Sequence, residues 1–91
     1  ILFIRLKGDL NKDTIKGIID KDFKYVVLNI DDMYSIDSYS IKYLNKIYRL
    51  YENNNNKFII CDKFNVSRKL LRDIPKINRE YDAFELFERM I

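Results

Sequence analysis

Apolar residues recur along this chain with two spacings, one typical of β-strands and one typical of α-helices. Residues 1–7, 25–30 and 57–61 are short apolar runs of strand length, and residues 76–80 fit a short last strand. Between and after these runs, apolar residues return every three or four positions. Strands that alternate with helices four times predict an α/β domain with a largely parallel sheet of four to five strands and about four helices.

The first two predicted helices begin at residues suited to capping a helix N-terminus. Asn11 precedes a short helix that ends at residues 21–22, and Asp37 precedes a long helix that ends near Glu52. A polar turn over residues 53–56 follows, where asparagine tolerates the left-handed conformation that ends helices. The residues expected to face the core are Ile15, Ile18 and Ile19 on the first helix and Ile41, Leu44, Ile47, Tyr48 and Tyr51 on the second.

The last two predicted helices lie in the final third of the chain. Asn65 is placed to cap the third helix, which Pro75 stops. Asp82, with Glu85 three residues later, resembles a capping box at the start of the fourth. The residues expected to face the core are Val66, Leu70, Leu71 and Ile74 on the third helix and Phe84, Phe87 and Ile91 on the fourth.

The composition excludes several classes of protein and of chemistry. The 91 residues contain no histidine, so a histidine metal site, a histidine general base and a Ser-His-Asp triad cannot form within the chain. One cysteine excludes a disulfide scaffold, and two glycines leave no glycine-rich phosphate loop. No apolar run approaches ~18 residues. We therefore expect a protein without a membrane span that is not an enzyme and holds no cofactor or metal, and the single free cysteine favours a cytoplasmic location.

Two basic groups stand out in a chain whose net charge is only +3. Each group could contact a phosphate backbone or form a solvated helix surface. A net charge of +3 is weak for nucleic-acid binding, and no aromatic motif of the RNP type is present, so we expect no nucleic-acid partner. The groups are Lys42, Lys46 and Arg49 on the long helix, and Lys63, Arg68, Lys69 and Arg72 further along the chain.

The segment between the second strand and the long helix is the strongest candidate for a functional site. Residues 31–37 are predicted to form a loop at the carboxyl end of a buried strand, which is where parallel α/β sheets place their sites. Ser38 follows at the start of the helix, where a phosphate would lie in a favourable field and add roughly −1.5 to −2 charges. The alternative is that Asp37 or Ser38 only caps the helix.

Three segments, by their order and spacing, resemble the STAS family, the domain shared by sulfate transporters and bacterial anti-sigma factor antagonists. The family has Gly-Glu/Asp-Leu-Asp after its first strand, then a buried Val-Val-Leu-Asp-Leu strand, then Asp-Ser-Ser-Gly opening a helix. The likeness covers essentially the whole chain and implies a single STAS-like domain over residues 1–91, either complete or lacking an N-terminal strand. The matching segments are Gly8-Asp9-Leu10-Asn11, Val26 to Ile30, and Asp37-Ser38-Tyr39-Ser40.

The resemblance implies an anti-sigma factor antagonist, a regulator of transcription that acts by partner switching. Such a protein binds an anti-sigma factor that is also a serine kinase. The kinase phosphorylates the first serine of the motif, here Ser38, and the complex dissociates until a serine phosphatase resets it. Ser35 and Ser40 are alternative acceptors. The expected partner-binding surface is Asp9, Asn11, Met33, Tyr34, Ser35, Ile36, Asp37, Ser38, Tyr39, Ser40, Lys42 and Tyr43, with Met33, Tyr34 and Tyr39 as anchors.

The sequence departs from the family pattern at three positions, and two other interpretations stay open. Tyr39 replaces the second serine, Ser40 replaces the glycine, and Asn29 stands where the family often has aspartate. One alternative is therefore a STAS module of a larger sensor or transporter that binds a partner without phosphorylation. The other is a receiver-like domain, since Asp31 and Asp32 follow a strand and carboxylates suit Mg²⁺, although in a receiver the acidic pair follows the first strand.

Overall fold

The computed structural model describes residues 1–15 and 23–90 and has a parallel sheet with helices on both faces. The elements in chain order are β1 (Leu2–Leu10), α1 (Lys12–Ile15), β2 (Tyr25–Ile36), α2 (Ser38–Asn53), β3 (Lys57–Cys61), β4 (Lys76–Ile77) and α3 (Asp82–Met90). The strands lie in the order β1-β2-β3-β4, and every neighbouring pair is parallel. The predicted α/β class and four-stranded parallel sheet are confirmed, with three helices in the described ranges.

The two faces of the sheet carry separate apolar clusters, because side chains alternate along each strand. The larger cluster includes Leu28 and Ile60 and packs against α1, α2 and the connection that precedes β4. The smaller cluster includes Val27 and Ile59 and packs against Phe87 of α3. Both faces are therefore buried at the centre of the sheet, as the nearly continuous apolar run of β2 predicted.

The strand β2 is longer than predicted, so the loop expected over residues 31–37 is wrong except at Asp37. β2 continues beside β1 through Ile36, whereas β3 stops at Cys61. This two-stranded extension, residues 7–10 and 31–36, is called the ribbon below. Its pairing shifts register twice, and each shift breaks the alternation that identifies a strand in a sequence. Pairing with β1 also overrides the weak strand propensity of aspartate and serine.

The connection between β3 and β4 consists of turns, so the third predicted helix, from Asn65 to Ile74, is wrong. Asn65 has a φ of +57°, which is left-handed and not the extended conformation of an N-cap. Asp62 takes the capping role instead, because its carboxylate accepts hydrogen bonds from the backbone N–H groups of Val66 (3.0 Å) and Ser67 (2.8 Å). The sequence pattern pointed to the wrong capping residue.

The apolar residues of this connection divide into buried and exposed pairs. Leu71 and Ile74 are buried in the larger cluster, as predicted. Val66 and Leu70 were also predicted to face the core, but they are 56% and 47% exposed. Since the segment lacks a continuous helix, the three- to four-residue spacing does not bring all four side chains to one face.

The helix α1 begins as predicted at Asn11. The Asn11 side-chain oxygen accepts hydrogen bonds from two backbone N–H groups of the first turn, at 2.9 and 3.2 Å. Ile15 is fully buried, which confirms its core position. The rest of that predicted helix, residues 16–22 with Ile18 and Ile19, lies outside the described residues.

The helix α2 follows its prediction closely. Asp37 is its N-cap in extended conformation, and the Asp37 carboxylate accepts a hydrogen bond from the backbone N–H of Ser40 (2.8 Å). The turn after the helix contains Asn55 with a φ of +58°, the left-handed conformation expected of an asparagine there. The five predicted core residues all contact the larger cluster: Leu44 and Tyr51 are buried, and Ile41, Ile47 and Tyr48 are half-buried.

The helix α3 confirms one predicted core residue and corrects two other predictions. Phe87 is buried with Ala83 one turn earlier, but Phe84, expected inward, is 52% exposed because it lies off that face. Asp82 is already helical and its carboxylate accepts a hydrogen bond from Arg79 (3.0 Å), so it does not form a capping box. Ile91 lies outside the described residues. No helix in the described ranges is long and apolar enough to cross a membrane.

Candidate functional site

The predicted contact residues meet at one edge of the sheet, where β1 and β2 end and α2 begins. Leu10 and Ile36, the last residues of the two strands, lie opposite each other in the ribbon. The backbone N–H of Asp37 donates a hydrogen bond to the carbonyl oxygen of Leu10 (3.0 Å), which ties the start of α2 to the end of β1. Chain segments that are far apart in sequence therefore form one continuous surface.

Ser38 is the exposed first residue of α2, directly after the capping aspartate. The backbone N–H of Ser40 donates to the Asp37 carboxylate, and this hydrogen bond holds the pKa of Asp37 below its ordinary value. Asp37 therefore carries a negative charge at neutral pH beside the Ser38 hydroxyl. Lys42, also exposed, follows Ser38 one helical turn later.

The two alternative acceptor serines have different surroundings. Ser35 is exposed in the ribbon, and its hydroxyl donates a hydrogen bond to the carboxylate of Asp9 (2.7 Å). Ser40 is fully buried under the first turn of α2. A kinase would reach Ser38 directly, would have to break a hydrogen bond at Ser35, and has no access to Ser40 in the folded domain.

Aromatic side chains give this surface its apolar character. Tyr34 is 79% exposed, and Tyr39 is 42% exposed and stacks on Tyr43 with ring centroids 6.5 Å apart. Met33 and Ile36 are half-buried, since they pack against the larger apolar cluster. Tyr34 and Tyr39 are thus available as anchors for a partner, whereas Met33 contributes mainly to the core.

A small apolar pocket lies beside the ribbon and was not predicted from the sequence. It has a volume of about 150 Å³ and lies between β2 of the ribbon and the connection after β3. It was missed because residues 31–36 were expected to form a loop and Val66 and Leu70 were expected to be buried. The residues that line the pocket are Met33, Tyr34, Ser35, Ile36, Val66, Ser67, Leu70 and Leu71.

A polar cluster lies where the centre of the sheet passes into the ribbon. The Arg5 guanidinium donates two hydrogen bonds to the Glu80 carboxylate (2.7 and 2.8 Å), and these hold the pKa of Glu80 below its ordinary value. The Asn29 side chain donates to Glu80 (2.8 Å) and accepts from the backbone N–H of Asp31 (2.8 Å). An aspartate at this position could not donate to Glu80, which gives asparagine a physical role here.

One member of the acidic pair after the buried strand makes a hydrogen bond within the fold. The Asp31 carboxylate accepts a hydrogen bond from the backbone N–H of Lys63 (2.7 Å), and Asp32 is exposed opposite Lys7 in the ribbon. In the part of the chain that the structure describes, no three cysteine or acidic side chains are grouped so that they could hold a metal ion. This geometry does not support the receiver-like interpretation.

Comparison with known proteins adds no family assignment. No protein-family model matches the chain, and no curated protein matches it significantly.

Proposed function

We propose that this domain is a STAS-like regulator that binds an anti-sigma factor with serine-kinase activity, and that phosphorylation of Ser38 ends the complex. The observation that carries the proposal is the position of Ser38. It is the exposed first residue of a 16-residue helix, at the edge of the sheet where the expected contact residues meet. The domain acts in the cytoplasm without catalysis of its own, and a serine phosphatase restores the binding form.

The unphosphorylated surface offers a partner both aromatic and polar contacts. Tyr34 and Tyr39 expose large side chains on either side of Ser38 in the sequence, and interfaces are enriched in such residues. Asp9 extends the surface on the side of β1, and Lys42 extends it along α2. These contacts favour a partner that covers the helix N-terminus and the ribbon together.

A phosphate on Ser38 would change binding more than folding. The unpaired N–H groups and the dipole at the start of α2 favour an anion there, so the helix is not expected to melt. The same phosphate would place roughly −1.5 to −2 charges beside the ionised Asp37, within the surface that the partner covers. Burying this charge in the interface carries a desolvation cost, which is why the complex would dissociate.

The first test is intact-mass analysis with site mapping on the protein purified from its native cells. We expect one added phosphate on Ser38 that Ser38→Ala abolishes and that Ser35→Ala, the matched control, leaves in place. Ser38→Asp should weaken binding of the purified kinase by about tenfold or more, since a charge is added to the interface. A chain that stays unmodified under every growth condition, or equal kinase binding by Ser38→Asp, would overturn the switch.

A second candidate is a STAS-like module that binds its partner without phosphorylation. The observation that favours it is Tyr39, whose large side chain stands next to Ser38 and stacks on Tyr43 where the family has a small serine. In this case Tyr34→Ala and Tyr39→Ala would weaken partner binding while Ser38→Asp would leave it unchanged. Tyr81→Ala, an exposed tyrosine that precedes α3, is the control for a general loss of aromatic surface.

A further inference from the structure

The positive charge of this protein is concentrated in one segment. Residues 62–76 contain five basic and two acidic side chains, a net charge of +3, which equals the net charge of all 91 residues. One of the two acids, Asp62, is buried and occupied by hydrogen bonds to the backbone. The surface of this segment is therefore strongly basic, while the rest of the chain is balanced.

Four of the five basic residues of this segment line one open surface depression, called the basic groove below. Its volume is about 860 Å³, and it lies apart from the Ser38 surface. Among the described residues that line it there is no carboxylate and no aromatic ring, and none of the ion pairs in the described ranges uses its three exposed cations. The lining residues are Asn65, Arg68, Lys69, Arg72, Ile74, Pro75 and Lys76.

The backbone that carries the groove is held in place from beneath. The Ser67 hydroxyl donates a hydrogen bond to the Asp62 carboxylate (2.6 Å), and the backbone N–H of Leu71 donates to the carbonyl of Ser67 (2.8 Å). Ser67 and Leu71 are buried, so they fix one side of the turn against the core. The intervening Arg68 and Lys69 are then directed outward, and binding an anion does not require the backbone to become ordered.

Lys76 is the fourth basic residue that lines the groove. Its ammonium group donates to the carbonyl oxygens of Leu71 and Ile74, so the position of this charge is fixed. Two of its three N–H groups are thereby used and one remains for a ligand. Partial burial lowers the pKa of Lys76 although the negative charges of Asp62 and Asp73 act in the opposite direction, and a bound anion would add to their effect.

We propose that the basic groove binds the phosphate chain of an oligophosphate. Arg68 and Arg72 each offer a planar guanidinium that pairs with phosphate oxygens through two hydrogen bonds. Four basic side chains line the groove, so it offers positive charge to more than one phosphate group. The lining lacks the aromatic rings on which single-stranded nucleic acids stack, so a compact phosphate chain fits better than a strand.

The experiment is a ¹H–¹⁵N NMR titration of the whole chain with sodium tripolyphosphate, orthophosphate and ATP at constant ionic strength. We expect saturable shifts of the amides of residues 65–76 and affinity for tripolyphosphate about tenfold or more above that for orthophosphate. Equal affinity for ATP and tripolyphosphate would identify the phosphate chain as the whole ligand. Tighter binding of ATP would identify a nucleotide as its source, and both results support the proposal.

Two double variants that each remove two positive charges distinguish binding at a specific site from general electrostatic attraction. The double variant Arg68→Gln/Arg72→Gln should lose about tenfold or more in affinity. Lys46→Gln/Arg49→Gln on α2 removes the same charge and should stay within about twofold of the wild type. Equal losses in both variants, shifts outside residues 65–76, or tighter binding of a short single-stranded RNA or of polyglutamate in the groove would overturn the proposal.

Discussion

The centre of the sheet and the ribbon belong to the same two strands, yet different contacts hold them. At the centre, Val26, Val27 and Leu28 have no exposed surface, because helices cover both faces. In the ribbon, Met33 is half-buried and Tyr34 is 79% exposed, because only one face packs against the core. The packing of helices against the strands, rather than the pairing between strands, therefore determines which part of β1 and β2 stabilises the fold. The part that no helix of the described ranges covers on its outer face is free to bind a partner.

The two regions also differ in how regularly their strands pair. Leu2 to Arg5 pair with Val26 to Asn29 without interruption, and the register shifts only beyond Arg5. A second shift follows Gly8, which has a φ of +87°. Bulges of this kind twist a strand pair and redirect its side chains, and they are frequent beside functional sites. The irregular pairing therefore belongs to the region that presents Tyr34 and leads to Ser38.

The largest expected difference between the two regions is in the cost of truncating a core side chain. Leu28→Ala at the centre should lower the free energy of unfolding by ~2–5 kcal/mol, since it leaves a cavity that helices enclose. Met33→Ala in the ribbon should cost less than ~2 kcal/mol, because its site can relax toward solvent. Urea denaturation of both variants measures the difference, and equal costs would show that the ribbon belongs to the core.

A smaller loss of stability is expected for a substitution at the second register shift. Gly8→Ala should lower the free energy of unfolding by roughly 1–2 kcal/mol, because a left-handed conformation is unfavourable for a residue with a Cβ. Among the described residues, apart from the two neighbours of Gly8 in the chain, no atom lies within 4 Å of the added Cβ, so we expect no contribution from a clash. Gly8→Asn, which tolerates this conformation better, is the control. Unchanged stability in Gly8→Ala would mean that the ribbon shifts its pairing freely.

The smallest expected effect on stability comes from Glu80, at the junction of the two regions, and it depends on pH. Hydrogen bonds from Arg5 and Asn29 lower the folded-state pKa of Glu80, so its contribution to stability is present above the ordinary pKa of 4.5. That contribution is lost as the pH falls through the folded-state pKa. Glu80→Gln and Arg5→Gln should both flatten the pH dependence of unfolding in this acid range. Wild-type and Glu80→Gln curves that stay parallel there would contradict the prediction.

The sequence by itself determined the features that depend on neighbouring residues. The order of the strands, the N-cap at Asn11, the extent of β3 and the buried face of α2 were predicted, and Asp37 was one of two residues expected to cap α2, because periodicity and capping act over one or two turns. The left-handed Asn55 belongs to the same group. Ser38 at the start of α2 also follows from local sequence, so the central residue of the proposed switch could be placed without a structure.

Only the tertiary structure decided the features whose partners lie far away in the chain. The ribbon forms because residues 31–36 find backbone partners on β1, which their own sequence does not favour. Asp62 replaces Asn65 as the cap because the turn packs against the sheet through Ser67 and Leu71. The pocket beside Tyr34 and the basic groove both follow from that turn. Packing between distant segments selected these conformations over the helix that local spacing favoured.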